Sequence, residues 1–137
     1  MQPTGDPDLD FGIQAILDEN FTAAFRRFTE LADSGSPMAQ HFLGWMYEQG
    51  LACEADDSSA FYWWSKSARQ NIAESQHGLG VFYEEGRAVG ADLPKAYYWF
   101  ALAVRSGDEA SMGCVKRVAR MLTKEQLDEA KRQLADT

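Results

Sequence analysis

The segment 39–71, moved along by 36 residues, falls on 75–107 without a gap. The identical pairs are Gln40/Gln76, His41/His77, Leu43/Leu79, Gly44/Gly80, Tyr47/Tyr83, Glu48/Glu84 and Gly50/Gly86. They continue with Ala52/Ala88, Ala55/Ala91, Asp56/Asp92, Ala60/Ala96, Tyr62/Tyr98, Trp63/Trp99 and Arg69/Arg105, making 14 matches. A unit of this size that recurs in register is one supersecondary element stacked on its neighbours, because alone it cannot bury its apolar face.

Each unit reads as two helices. In 37–49 and 73–85 small and apolar residues recur at helical spacing, as in Ala39, Leu43, Met46 and Tyr47. Gly44 and Gly80 sit inside these helices, where glycine costs about 1 kcal/mol relative to alanine. Their recurrence implies a close approach that a side chain would prevent, holding two helix backbones apart. Gly50 and Gly86 end the helix in a left-handed cap. After a loop, Asp56 and Asp92 are placed as N-caps, and Pro94 fits the first turn. The second helices, 57–70 and 93–106, carry Ala60/Ala96 and Trp64/Phe100 as a buried stripe.

The flanks are weaker copies. Ala24, Phe28 and Ala32 precede Ala60, Trp64 and Ala68 by the same 36 residues, so 21–34 is the second helix of an earlier unit. Its first helix, 9–18, is joined to it by a tight Glu19-Asn20 turn, and residues 1–8 read as a disordered tail. After Gly107, residues 109–121 begin a fourth unit with Val115 and Val118 inward. Thr123 and Gln126 form a capping box for a last helix, 124–135, with Leu127, Ala130 and Leu134 on one face. The expectation is an all-α chain: one domain, 9–137, of four antiparallel helix hairpins (9–36, 37–72, 73–108 and 109–137) forming a short α-solenoid.

The pattern Ala39, Leu43, Gly44, Tyr47 and Gly50, with Asp92, Lys95-Ala96 and Trp99-Phe100, resembles the Sel-one-like repeat (SLR), a cousin of the tetratricopeptide repeat. The resemblance spans about residues 10–135 and implies a right-handed solenoid. The first unit is closer to tetratricopeptide spacing, with Gly12, Ala15, Phe21 and Ala24 in order. The chain departs at the loop's second glycine, which is Ala52 and Ala88 here. Some cysteine-rich relatives lock each hairpin with a disulfide, and this chain has no paired cysteines for that. The resemblance implies a non-enzymatic scaffold or adaptor that binds proteins or peptides.

Charge narrows the partner. The 137 residues hold 13 basic and 21 acidic side chains, a net −8, which excludes nucleic acid as the main ligand because phosphate binding needs a basic face. Residues 1–64 contribute 11 acids against Arg26 and Arg27, while Lys116, Arg117, Arg120 and Lys124 cluster near the end. No apolar run of about 18 residues is present to cross a membrane. The opening residues match no signal peptide, which favours the cytoplasm and leaves the periplasm open for a chain whose leader has been removed.

In the related tetratricopeptide fold the first helices line a concave groove. Alignment on Gly44 and Gly80 places Met38, His41, Trp45, Glu48 and Gln49 there, followed by Glu74, His77, Val81, Glu84 and Glu85. Arg117 and Arg120 lie near the same face. Trp45 has no aromatic counterpart at Val81, so it is either an anchor for a basic or amphipathic peptide or partly buried against a neighbouring helix. This groove fits a segment with cationic or mixed charge; self-association as a structural or regulatory subunit is the alternative, through apolar surface at a solenoid end.

His41 and His77 recur one repeat apart, read as satisfied or partly buried histidines or as a pH-sensitive pair; a metal site needs further ligands, and none is expected. Tyr62, Trp63, Trp64, Tyr97, Tyr98, Trp99 and Phe100 read as packing between units. Cys53 reads as a small apolar filler, and Cys114 aligns with Phe42 and Gly78. Neither has a base beside it in sequence to make a catalytic thiol. No phosphate loop, nucleophile elbow or paired-carboxylate motif is present, so no cofactor and no enzymatic activity are expected.

Overall fold

Capping residues set where the helices begin. In the structure, a computed structural model describing residues 2–137, eight α-helices follow one another with no strand among the described residues. They are α1 (Pro7–Leu17), α2 (Phe21–Asp33), α3 (Pro37–Gln49), α4 (Asp57–Ala68), α5 (Ala73–Glu85), α6 (Leu93–Arg105), α7 (Met112–Ala119) and α8 (Lys124–Ala135). The side chains of Asp6, Asn20, Ser36, Asp92 and Thr123 each accept a backbone N–H in the first turn of the helix that follows, satisfying donors with no intrahelical partner. Asp56 does the same, taking Ser59 N–H at 3.2 Å and the Ser59 hydroxyl at 2.8 Å. At Thr123 and Gln126 the capping box closes in both directions, at 2.9 and 3.1 Å.

Two helix starts differ from the expected bounds, and α4 stops at Ala68 rather than at 70. α1 starts at Pro7, inside the segment read as tail, because Asp6 caps it and a proline at the first helical position lacks no needed donor. Thr4 is tied to the same helix, its N–H and hydroxyl each 2.8 Å from Asp10 Oδ1. Met1 lies outside the described residues. The helix expected over 109–121 opens instead as a 3-10 turn, Glu109–Ser111, and only then becomes α7. The Ser111 hydroxyl reaches back 2.7 Å to Asp108 Oδ2, which accompanies the tight first turn.

The repeat is also written in the backbone. Left-handed φ recurs one period apart at Gly35 (98°), Asn71 (64°) and Gly107 (112°), and at Gly50 (70°) with Gly86 (71°), while Gly5 (93°) and Glu19 (59°) have no counterpart. Ala52 (61°) and Ala88 (63°) adopt the same left-handed conformation where the family pattern has a glycine, so the loop keeps its path despite the departure. Matching loop bonds run from Asp56 N–H to Tyr47 O (2.9 Å) and from Asp92 N–H to Tyr83 O (2.8 Å).

The chain packs as two compact units, one ending at Ser67 and the other starting at Ala68. In the first, Leu9, Ile13, Ala24, Phe28, Ala32, Ala39, Leu43 and Met46 form a core between α1, α2 and α3. In the second, Ala96, Tyr97, Phe100, Val118 and Ala130 join α6 to α7 and α8. The mid-helix glycines explain the hairpins. A Cβ at Gly12 would lie 2.6 Å from the Phe28 ring, at Gly44 2.5 Å from Trp64, and at Gly80 2.7 Å from Phe100. The expected close approach is therefore made by an aromatic ring of the second helix, set flat into the notch the glycine leaves. Trp64 adds a hydrogen bond from its indole N–H to His41 O at 3.1 Å. Gln40 and Gln76, both buried, donate from Nε2 to Ala32 O and Ala68 O at 3.3 and 3.1 Å, fastening each first helix to the end of the helix before it. Gln76 Oε1 is buried without a hydrogen-bond partner.

Candidate interaction surface

On α3, Met38, His41, Trp45 and Glu48 are half-buried and Gln49 is exposed. Helical spacing puts all five on one stripe. Met38 and Trp45 rest part of their surface on the N-terminal core. The ring of His41 leans on Phe42 at 5.2 Å, and Gln49 Nε2 donates to Glu48 Oε1 at 3.1 Å. The stripe thus presents an indole of which part stays open to solvent, a carboxylate and an imidazole.

The equivalent stripe on α5 carries exposed Glu74 and Glu85 with half-buried His77, Val81 and Glu84. Val81 packs against the C-terminal core. Glu84 is held by Arg117 of α7 in a two-pronged ion pair, Nε at 3.0 Å and Nη2 at 2.6 Å from the two carboxylate oxygens. These hydrogen bonds push the Arg117 guanidinium above its ordinary pKa, with Cys114 adding to the effect. Glu84 and Arg117 therefore neutralise each other, and the acidity of this stripe falls to Glu74 and Glu85. Glu85 lies 4.0 Å from Arg87. Arg120 is exposed.

His77 sits in a hydrogen-bonded relay that no motif announced. Its Nδ1 is 2.8 Å from the hydroxyl of Ser111, which is fully buried, and that hydroxyl is 2.7 Å from Asp108 Oδ2. The imidazole ring leans on Phe100 at 5.3 Å. Asp108 also lines an open cleft of about 350 Å³ together with Asn71, Ile72, Ala73, Glu74, Ser106 and Gly107. Ser111 and Asp108 are 34 and 31 residues from His77, so only the recurrence of the histidine itself hinted at a role. Among the described residues no three His, Cys, Asp or Glu side chains stand together as a metal site.

The second helices split the aromatic clusters into two kinds. Trp64 and Phe100 are buried against the glycines of their own hairpins, and Tyr97 is buried as well, with its phenol pKa raised by that burial. Tyr62 is 52% exposed, pairs edge-to-face with Trp63 at 5.0 Å and lies under Lys66 Nζ at 4.9 Å. Tyr98 and Trp99 repeat the edge-to-face pair at 5.2 Å, and Tyr98 Oη is 2.9 Å from Thr137 Oγ1. The Cys53 thiol points at Met46 O, 3.7 Å away; burial, then the nearby Asp56 charge, push its pKa up, toward the unreactive thiol. Tyr47 beside it is likewise raised, by burial first and then by Cys53, Asp56 and Asp33. Both cysteines are free. No helix among the described residues is long and apolar enough to cross a membrane.

Helical hairpins at a fixed period, glycine-notched and carrying a variable first-helix stripe, define an SLR-type α-solenoid protein. The Sel1 repeat family model matches residues 37–72 and 73–108, just over half of the chain, and the chain belongs to that family. Sel1 repeat proteins are in general non-catalytic protein–protein interaction scaffolds. Among solved structures, the chain is similar to c5321, a protective antigen of uropathogenic Escherichia coli strains with an SLR fold, at TM-score 0.88 and 26% identity. That match covers 96% of this chain but only 30% of the antigen. A Sel1 repeat protein of Oxalobacter formigenes matches at TM-score 0.72 and 26% identity, over 80% of this chain and 86% of its own. Helicobacter pylori cysteine-rich protein B shares the fold at TM-score 0.64 and 20% identity, over 82% of this chain and 99% of its own. A search of curated protein sequences finds no match.

Proposed function

We propose that the chain is a non-enzymatic adaptor that binds a peptide or helix of another protein along its first-helix stripes, with Trp45 as the apolar anchor. Trp45 carries the reading. Residues that maintain the repeat recur at both positions, whereas Trp45 is replaced by valine one period on and keeps part of its indole open to solvent. A large, rigid, half-open aromatic with an N–H donor is the side chain that most often dominates a binding interface. Glu48 beside it, and Glu74 and Glu85 on α5, favour a partner segment with cationic or mixed charge. Affinity capture by the wild-type chain and by Trp45→Ala tests this. The partner retained by the wild type is lost or strongly reduced with Trp45→Ala, while helical content measured by circular dichroism is unchanged. Equal recovery by both baits removes Trp45 from the site.

A further inference from the structure

We propose that Ser111 and Asp108 are positioning residues that lock His77 with its proton on Nδ1, so that Nε2 is a fixed hydrogen-bond acceptor for a cationic N–H donor of the bound partner. This rests on the adaptor reading and names the chemistry that one of its stripes recognises. The argument follows the protons. A carboxylate only accepts, so the 2.7 Å contact between Asp108 Oδ2 and Ser111 Oγ uses the single hydroxyl proton of Ser111. With that proton committed, Ser111 Oγ can only accept at its 2.8 Å contact with His77 Nδ1, which therefore carries the hydrogen. In the neutral imidazole Nε2 is left as the acceptor. The ring is held along its Nδ1 edge by Ser111 and on one face by Phe100, while 38% of the side chain stays open. Its direction is therefore set before anything binds, which lowers the entropic cost of recognition.

The surroundings select the donor. Glu74 lies one helical turn before His77, and Asp108 stands 3.9 Å from Nδ1; both carboxylates line the neighbouring cleft of about 350 Å³. An arginine-like head offers several N–H donors and no acceptor, which matches an acceptor histidine next to a cleft lined by two acidic residues. The other histidine supplies an internal control. One period earlier, the positions of Ser111 and Asp108 are Ser75 and Ile72, so the aspartate of the relay does not recur in the sequence.

Long-range proton–nitrogen NMR of the full chain at pH 8 reads the tautomer, and methylguanidinium serves as the probe of the acceptor. His77 shows a protonated Nδ1 and an unprotonated Nε2, and methylguanidinium perturbs its Nε2 saturably and more than it perturbs His41. Ser111→Ala and Asp108→Ala, which remove the relay hydroxyl and its acceptor, move the proton toward Nε2 and reduce that response several-fold. A wild-type His77 protonated on Nε2 overturns the proposal, as does a response to methylguanidinium that both variants leave unchanged. These outcomes are independent of the Trp45→Ala capture: loss of the anchor there leaves the His77 tautomer as it is, so the two failures are told apart.

Discussion

Gly44 against Trp64 and Gly80 against Phe100 are one contact made twice, whereas Trp45 and Val81, the residues immediately after those glycines, have nothing in common. The two full repeats agree wherever the backbone or the hairpin interior needs them to. Both end the first helix in a left-handed glycine, both carry an alanine in the same left-handed loop position, and both bury a glutamine that grips the preceding helix. They part company on the outer stripe of the first helix. There the first repeat offers a half-buried indole, and the second offers a carboxylate closed by Arg117 and an imidazole held by Ser111. Identity inside the hairpins marks the fold; on the stripe the identical pairs His41/His77 and Glu48/Glu84 stand beside residues that differ, such as Trp45 and Val81.

The comparison breaks most visibly if the shared ring is removed. Trp64→Ala and Phe100→Ala should each cost about 3–5 kcal/mol, the range for deleting a large buried aromatic, read from urea denaturation. A loss below 1 kcal/mol in either repeat would show that its hairpin does not depend on the notch. Filling the notch comes next. Gly44→Ala and Gly80→Ala gain about 1 kcal/mol of helix propensity but force the ring out of place at about 1–3 kcal/mol, so both variants should be less stable than wild type. Stabilisation by either would mean the ring moves aside freely.

Relieving the loops should act in the opposite direction. Ala52 and Ala88 hold a conformation costing an L-residue about 1–2 kcal/mol, partly offset in a glycine variant by about 0.4–1 kcal/mol of unfolded-chain entropy. Ala52→Gly and Ala88→Gly should therefore raise the melting temperature slightly and by similar amounts. Unequal shifts would show that the two loops are not equivalent.

The smallest effect distinguishes the caps. Hydrogen bonds from Ser59, side chain first and then backbone, hold the Asp56 carboxyl below its ordinary value of 3.8. A lowered folded-state pKa stabilises the fold above the unfolded value and loses that contribution as pH falls through the folded value, so the effect fades only below about pH 4. Ser59→Ala should raise the Asp56 pKa in an NMR titration; no movement would show that the hydroxyl bond does not form.

Much of the fold was legible because the features that set it are local. α3 begins at a proline and ends at a glycine, α5 ends at a glycine, and α8 begins at the capping box. Apolar spacing does not encode the start of α1, because the information in the Asp6-Pro7 pair lies wholly in capping. The 3-10 opening of α7 is accompanied by Ser111 folding back on Asp108, a bond that helical periodicity does not encode. At the candidate surface, the stripes on α3 and α5 follow from helical spacing, but their charge does not. Glu84 and Arg117 are 33 residues apart, and only the packing of α7 beside α5 turns an acidic position and a basic one into a neutral pair. The relay at His77 was hidden for the same reason.

The central claim of the proposal is that Trp45, which the second repeat lacks, anchors the partner. Trp45→Val gives the first repeat the residue the second already has, and the dissociation constant of the captured partner for this variant tests the claim directly. An anchor worth about 2 kcal/mol corresponds to weakening by about thirtyfold, and that loss is expected with the helical fold intact. A dissociation constant unchanged within twofold would contradict the claim and place recognition elsewhere on the chain.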